Sequence, residues 1–280
     1  MTIKEFKKSA ISELSNFYPT KEAQNITILA LQETLKLNSI ELFMQEDNEL
    51  YEDSYEKMRN IVNRLSHYEP LHYILGYAYF RGKKYIVNEH VLIPRPETEE
   101  LVEWVIDENK NLEVEILDVG CGSGCIAISL DLEIPLAVVC GVDISKEAVY
   151  ISNKNSEDLN SSAIFKIADF RDEEHDLEEG FYDIIVSNPP YILKEESVVM
   201  SKSTITFEPK RALFTESVTE TYYELAIFAK KYLRSSGCLY LEINEFHLKD
   251  ISDSLLKAGF QKLFTKKDLS GKIRMLKASL

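Results

Sequence analysis

The run Ile184-Ile185-Val186-Ser187-Asn188-Pro189-Pro190-Tyr191 closes an apolar stretch with one carboxamide, two residues lacking a backbone N–H, and a phenol. Proline holds its own φ near −65° and pushes the residue before it toward extended backbone. Asn188 and Pro189 are therefore both held extended, and neither Pro189 nor Pro190 offers a donor. What remains is an acceptor-rich corner, made by the Asn188 side-chain oxygen and the Pro189 carbonyl. Such a corner suits a planar –NH2 group, which has two hydrogens to donate. Nitrogens of that kind are poor nucleophiles because the lone pair is delocalised. Holding both N–H bonds aims the lone pair at an electrophile, and Tyr191 would pack on the planar group. Each hydrogen bond contributes only about 0.5–1.5 kcal/mol net, whereas positioning contributes up to about 7–11 kcal/mol. Standing alone, the run reads equally well as a proline-rich turn with Asn as its starter.

Two features earlier in the chain decide between these readings. Ile116-Leu117-Asp118-Val119-Gly120-Cys121-Gly122-Ser123-Gly124-Cys125 ends a strand, turns on three alternate glycines and opens a helix. A turn of this kind brings a ligand close to backbone at a helix N-terminus. Asp143 ends the next strand, nineteen residues after Gly124, where doubly wound folds place an acid against ribose hydroxyls. It also suits a helix cap, as does Ser145. Glycine bend and acid together point to a nucleoside ligand. The third glycine comes one residue early for a dinucleotide fingerprint. The loop instead resembles the first motif of methyltransferases that use S-adenosylmethionine, with Asp118 at its edge. In such enzymes Asp169 or its backbone would read the adenine amino group, with Phe170 flanking the ring.

The elements that must position these residues fall into three stretches. Residues 1–75 carry apolar residues at three- and four-residue spacing and no strand signal, which predicts a small helical domain with a cap region at Thr20 and a break at Asn38-Ser39. Residues 76–96 predict a β-hairpin linker turning at Arg81-Gly82-Lys83. From residue 97 to 280 strands and helices alternate, which predicts an α/β fold with helices on both faces of a mostly parallel sheet. The tail from Gln261 to Leu280 predicts a closing antiparallel pair.

Whole-chain totals narrow the class. The 280 residues are 45% hydrophobic and 28% charged, with a formal net charge of −15. An acidic balance argues against duplex nucleic acid as the main ligand, because phosphate contacts dominate that affinity. No apolar run approaches the ~20 residues of a membrane span, and the N-terminus reads as no signal peptide. The four cysteines, Cys121, Cys125, Cys140 and Cys238, fit no zinc spacing. They read as reduced thiols of a cytoplasmic protein with no metal site.

The stretch Glu69–Glu103, above all Leu92-Ile93-Pro94-Arg95-Pro96-Glu97-Thr98-Glu99, resembles the HemK/PrmC family, the protein-(glutamine-N5) methyltransferases of peptide chain release factors. The likeness continues through the glycine loop, Val142–Ser145, Ser187–Ile192, Glu208–Leu213 and Asp268–Leu276. It implies a Rossmann-like class I methyltransferase sheet behind a substrate-docking helical domain. It also implies transfer from S-adenosyl-L-methionine, with S-adenosyl-L-homocysteine as product, to the glutamine of a Gly-Gly-Gln loop in a release factor. By the same likeness Gly120, Cys121, Gly122, Ser123, Gly124, Asp143, Asp169, Phe170 and Asn188 would bind the cofactor, Thr98 and Glu99 would lie nearest it in their segment, and Asn188, Pro189, Pro190 and Tyr191 would hold the glutamine. Pro96 with Glu97 and Glu99 also suits an ordinary helix start. The chain departs from the family at Asn244 and His247, where Gly and Gln are common, and at Phe170, where some relatives carry tryptophan. Competing readings are a glutamine methyltransferase of a ribosomal protein, an adenine N6-methyltransferase, and a fold kept only for binding.

Overall fold

The computed structural model describes residues 1–172 and 176–280 of the protein and separates into two units. The first comprises Met1–Leu75 with Ser201–Phe207, and the second Gly76–Met200 with Glu208–Leu280.

The first unit is helical: α1 (Ile3–Leu14), α2 (Thr20–Leu35), α3 (Ser39–Met44), α4 (Glu52–Ser66) and α5 (Leu71–Leu75). Its core is the set the helical spacing selects, including Phe6, Leu14, Leu31, Met58 and Leu65. The break at Asn38 is a capping box, in which the Asn38 side chain accepts from Ile40 and Glu41 while Glu41 answers to the Asn38 N–H. Thr20, in contrast, is the first helical residue, and Pro19 precedes it without a side-chain cap.

In the second unit, β1 (Tyr77–Phe80) and β2 (Lys83–Ile86) pair antiparallel across Arg81-Gly82. Both turn residues have positive φ, 48° and 71°, the primed geometry that matches strand twist. The second arm ends at Ile86, so the apolar residues Val91 to Ile93 form loop rather than strand. Next come α6 (Pro96–Asn109), β3 (Val114–Val119), α7 (Cys125–Glu133), β4 (Ala137–Asp143), α8 (Lys146–Leu159), β5 (Ile164–Ile167), β6 (Tyr182–Ser187) and the short β7 (Ile192–Leu193). Here α9 (Lys202–Phe207) joins the first unit. There the Lys202 ammonium lies 4.9 Å from the Tyr68 ring centre. The division drawn from sequence, 1–75, 76–96 and 97–280, does not include that return. The chain continues with α10 (Lys210–Leu213), β8 (Phe214–Thr215), α11 (Val218–Tyr232), β9 (Leu233–Glu242), α12 (Leu248–Ala258), β10 (Lys262–Lys267) and β11 (Ile273–Ser279).

The seven-stranded sheet has the order β10-β11-β9-β6-β3-β4-β5, with β3, β4, β5, β6 and β9 parallel and β11 antiparallel to both its neighbours. This bears out the α/β reading, including the closing antiparallel pair. Successive side chains of a strand face opposite sides, and the sheet obeys this. Ile116, Ile184, Val186 and Tyr240 pack with α6, α7 and α8, while Leu117, Ile185, Leu239 and Leu241 pack with α11 and α12.

One buried amide ties the hairpin to the glycine bend. Asn155 of α8 accepts from the Ile86 N–H at 2.7 Å and donates to the Ile86 and Ser123 carbonyls at 3.1 and 2.8 Å. It is fully buried, so no water replaces it. Asn155→Ala is expected to cost about 3 kcal/mol, since three buried backbone groups lose their partner. Urea denaturation measures the loss, and an unchanged midpoint contradicts it.

Candidate active site

The site is built where the parallel strands end. From β3 the chain winds outward through β4 and β5 on one side, and through β6 and β9 on the other. The switch point therefore lies between the carboxyl ends of β3 and β6, where doubly wound sheets bind ligands. Val119 of β3 pairs with Ser187 of β6, and the Ser187 hydroxyl donates to the Val119 carbonyl at 2.6 Å. Gly120 and Asn188 follow these two residues, so the glycine bend and the Asn-Pro-Pro-Tyr run leave the sheet side by side.

A cavity of about 570 Å³ opens there, within the usual range for small-molecule sites. Gly120 and Gly122 of the bend, Asp143 and Ser145 after β4, and Ala168, Asp169 and Phe170 after β5 line it. Asn188, Pro189 and Pro190 after β6 line it too, as do Pro209 and Arg211. The stretch Glu89–Leu92, which sequence reasoning left without a role, also lines it.

Gly120, Gly122 and Gly124 all stand at positive φ. Gly124 is the tightest, because a Cβ there would come within 2.9 Å of the Ser152 Cβ and 3.0 Å of Phe165. Four N–H groups of the bend are bonded inside the chain. Gly120 and Cys121 donate to the Val142 carbonyl, Gly124 to that of Cys121, and Gly122 to Asp143 Oδ2 at 2.9 Å. A carboxyl also stands at the start of α7, where Asp118 Oδ2 accepts from the Ala127 N–H. The bend therefore allows close approach but does not form the ring of free donors that a pyrophosphate needs. Cys121 and Ser123 are buried behind the bend and do not line the cavity.

Of the two candidates for the α8 cap, Ser145 is the one that caps, and Asp143 braces it. Oδ1 accepts from the Ser145 N–H at 2.9 Å while Ser145 Oγ caps α8. Each carboxylate oxygen retains a lone pair for a ligand hydroxyl. Burial raises the Asp143 pKa, against the Ser145 and Gly122 N–H groups and the charge of Arg211. Asp169 accepts from the Arg171 N–H. The Phe170 ring meets Phe228 edge to face at 6.3 Å and has the Arg171 guanidinium 4.9 Å from its centre.

Thr98, Glu99 and Tyr191 stand outside the cavity lining. Glu99 instead accepts from the Arg81 N–H at the hairpin turn, as one of several acids around that arginine. Thr98 and Tyr191 meet a residue absent from the sequence expectations, Glu242 at the end of β9. Thr98 Oγ1 donates to Glu242 Oε2 at 2.6 Å and Tyr191 OH to Oε1 at 3.1 Å. Asn188 Nδ2 donates in turn to Thr98 Oγ1 at 3.2 Å. Burial raises the Glu242 pKa, opposed by the Thr98 and Tyr191 hydroxyls. A second pair was missed too. Arg95 Nη2 donates to both oxygens of the buried Glu208, at 2.7 and 2.8 Å, fixing the segment that carries Pro209 and Arg211. An acid closing the apolar run Leu239-Tyr240-Leu241 was the available signal for Glu242. Asn244 caps the following turn by accepting from the Phe246 N–H, and His247 lies 3.3 Å from Glu196.

Asp118 carries a pH signature. Burial pushes its carboxyl up to about 8, offset in part by the Ala127 N–H, and Oδ1 has no partner among the described residues. The folded state holds this proton more tightly than the unfolded chain, whose Asp titrates near ~3.9. The contribution is complete below about pH 4 and is lost as pH rises toward 8. Asp118→Asn removes the titration, so its urea midpoint relative to the parent chain is expected to rise steadily across that window. A constant difference contradicts this.

Residues 98–217 match the family model of the methyltransferase small domain, and residues 6–76 that of the PrmC N-terminal domain. The chain is similar to a release factor glutamine methyltransferase of Bacteroides thetaiotaomicron, with 37% identity over 268 residues, 95% of this chain and 96% of the relative. It is 36% identical to one of Flavobacterium psychrophilum over 285 residues, covering 100% and 99% of the two chains. A methyltransferase from Pyrococcus furiosus shares the fold at a TM-score of 0.52 and 16% identity, over 80% of this chain and 98% of that one.

Proposed function

The chain belongs to the release factor glutamine methyltransferase family, and from that premise we propose that it transfers the methyl of S-adenosyl-L-methionine to N5 of the glutamine in the Gly-Gly-Gln motif of a peptide chain release factor. The observation that carries the reading is the junction of two half-sites at the β3/β6 rim. One is a nucleoside-sized cavity with Asp143 and Phe170 on its walls. The other is the Asn188-Pro189 acceptor corner bounding the same space.

The residues present fit the cofactor. Asp143 has lone pairs for ribose hydroxyls, Ala168 and Phe170 offer an apolar wall to a purine, and Asp169 lies beside them for its amino group. When bound, the cofactor supplies a methyl group on a positively charged sulfur. Asn188 Oδ1 and the Pro189 carbonyl accept the two amide hydrogens and aim the nitrogen at that carbon. Pro190 offers no N–H to compete for either acceptor, and Tyr191, outside the cavity lining, ties the run to Glu242. Thr98 acts from beneath this corner.

Asn188→Ala removes one of the two acceptors. It is expected to lower methyl incorporation into a Gly-Gly-Gln release factor by about 100-fold or more, while calorimetry finds cofactor affinity changed far less. A rate within a few-fold of the parent contradicts the carboxamide clamp.

One glutamine in a narrow pocket provides little affinity, so the release factor must be held elsewhere. The first unit is the proposed docking body. Its Ile40, Phe43, Met44 and Tyr51 are 72%, 70%, 78% and 82% exposed, an apolar surface of the kind that marks interaction sites. Phe43→Asp is expected to raise the release factor's apparent KM about tenfold with cofactor affinity unchanged. An unchanged KM removes this face from the docking role.

A further inference from the structure

Beneath the acceptor corner lies a directed chain of hydrogen bonds. Glu242 and Thr98 are buried, at 1% and 3% exposure. Both Glu242 oxygens are approached by hydroxyls, Tyr191 OH on Oε1 and Thr98 Oγ1 on Oε2. A hydroxyl has one proton to give. Thr98 gives its proton to the carboxylate, so only a lone pair faces Asn188. The Asn188 side chain must then turn its –NH2 toward Thr98, as the 3.2 Å contact from Nδ2 records. Its carbonyl oxygen is left on the other arm of the amide, and Asn188 is one of the residues lining the cavity. Among the described residues nothing donates to that oxygen.

The orientation matters because a carboxamide and its flipped form have nearly the same shape. Flipped, Asn188 would present –NH2 to the –NH2 of a glutamine, donor against donor, and the corner would lose its acceptor. Nothing in Asn188 itself prevents the flip. We propose that Glu242 acts through Thr98 as a positioning residue, selecting the acceptor face of Asn188, and that it anchors Tyr191 with its other oxygen. The proposal rests on the methyl-transfer reading for its kinetic consequence. Glu242 does not line the cavity, and its effect reaches the reacting nitrogen only through Asn188. The tie also spans the sheet: α6 supplies Thr98, the loop after β6 supplies Asn188 and Tyr191, and β9 supplies the carboxyl.

Three variants separate this from simple packing. Thr98→Val keeps the shape and removes the lone pair. Thr98→Ser keeps the hydroxyl. Glu242→Gln puts an –NH2 against one of the two hydroxyls and removes the one-way direction. Thr98→Val and Glu242→Gln are expected to lower kcat about tenfold, with the release factor's KM and the calorimetric cofactor affinity within about twofold of the parent. Thr98→Ser is expected to recover most of kcat. A second readout does not depend on activity. In protein labelled with 15N-asparagine, the Asn188 side-chain –NH2 exchanges slowly with solvent in the parent and in Thr98→Ser, and quickly in Thr98→Val. Thr98→Val with parental kcat, or Thr98→Ser falling as far as Thr98→Val, overturns the proposal. Equal exchange rates in all the chains overturn it too. A parent chain that methylates no release factor while the exchange pattern holds overturns the proposed function instead.

Discussion

The parallel register of β3 and β6 is the constraint on which the site depends. Val119 sits opposite Ser187, and the Ser187 hydroxyl closes the pair by bonding the Val119 carbonyl. A shift of one residue would turn every side chain of a strand to the other face. Both strands bury both faces, so the core on each side resists such a shift. The glycine bend and Asn188 are thus delivered to one rim by the bulk of the core, with no contact needed between the two loops. Chemistry that joins a nucleoside-held methyl to an amide nitrogen requires this: two binding geometries specified separately, then brought together by a rigid sheet.

Polar groups beneath the rim supply what apolar packing cannot, which is direction. Hydrophobic contact places a side chain but does not distinguish the two ends of a carboxamide. A buried carboxyl does, at a desolvation cost offset only when its oxygens are well bonded. Glu242 meets that condition with two hydroxyls, and its own backbone carbonyl accepts from Tyr222 at 2.7 Å. Asp118 meets it only in part, with one oxygen on a backbone N–H and the other unpartnered. Burial raises the pKa of both carboxyls, against two hydroxyls at Glu242 and one backbone N–H at Asp118.

The sequence made the sheet and the two loops legible because their signals are local. Alternate glycines after an apolar run, an acid ending the next strand, and a double proline after another need no knowledge of what lies across the molecule. What locality could not show is that the N–H groups of Gly120, Cys121 and Gly122 are bonded to Val142 and Asp143 on a neighbouring strand. Thr98 and Glu99 were placed together near the cofactor by the family likeness of their segment. Neighbours on a helix point about 100° apart, and Glu99 turns to Arg81 while Thr98 turns to Glu242. Glu242 and the Arg95–Glu208 pair went unread because their partners are far away in the chain, where spacing carries no information.

The return of Ser201–Phe207 to the first unit has a consequence for how the molecule is made. As the polypeptide emerges from the ribosome, Met1–Leu75 appears first and lacks one helix of its unit until α9 follows, long after β3 to β6 have emerged. The first unit therefore waits for its last helix until much of the second has been made. Cutting the gene at any single point likewise leaves one fragment carrying a piece that belongs to the other.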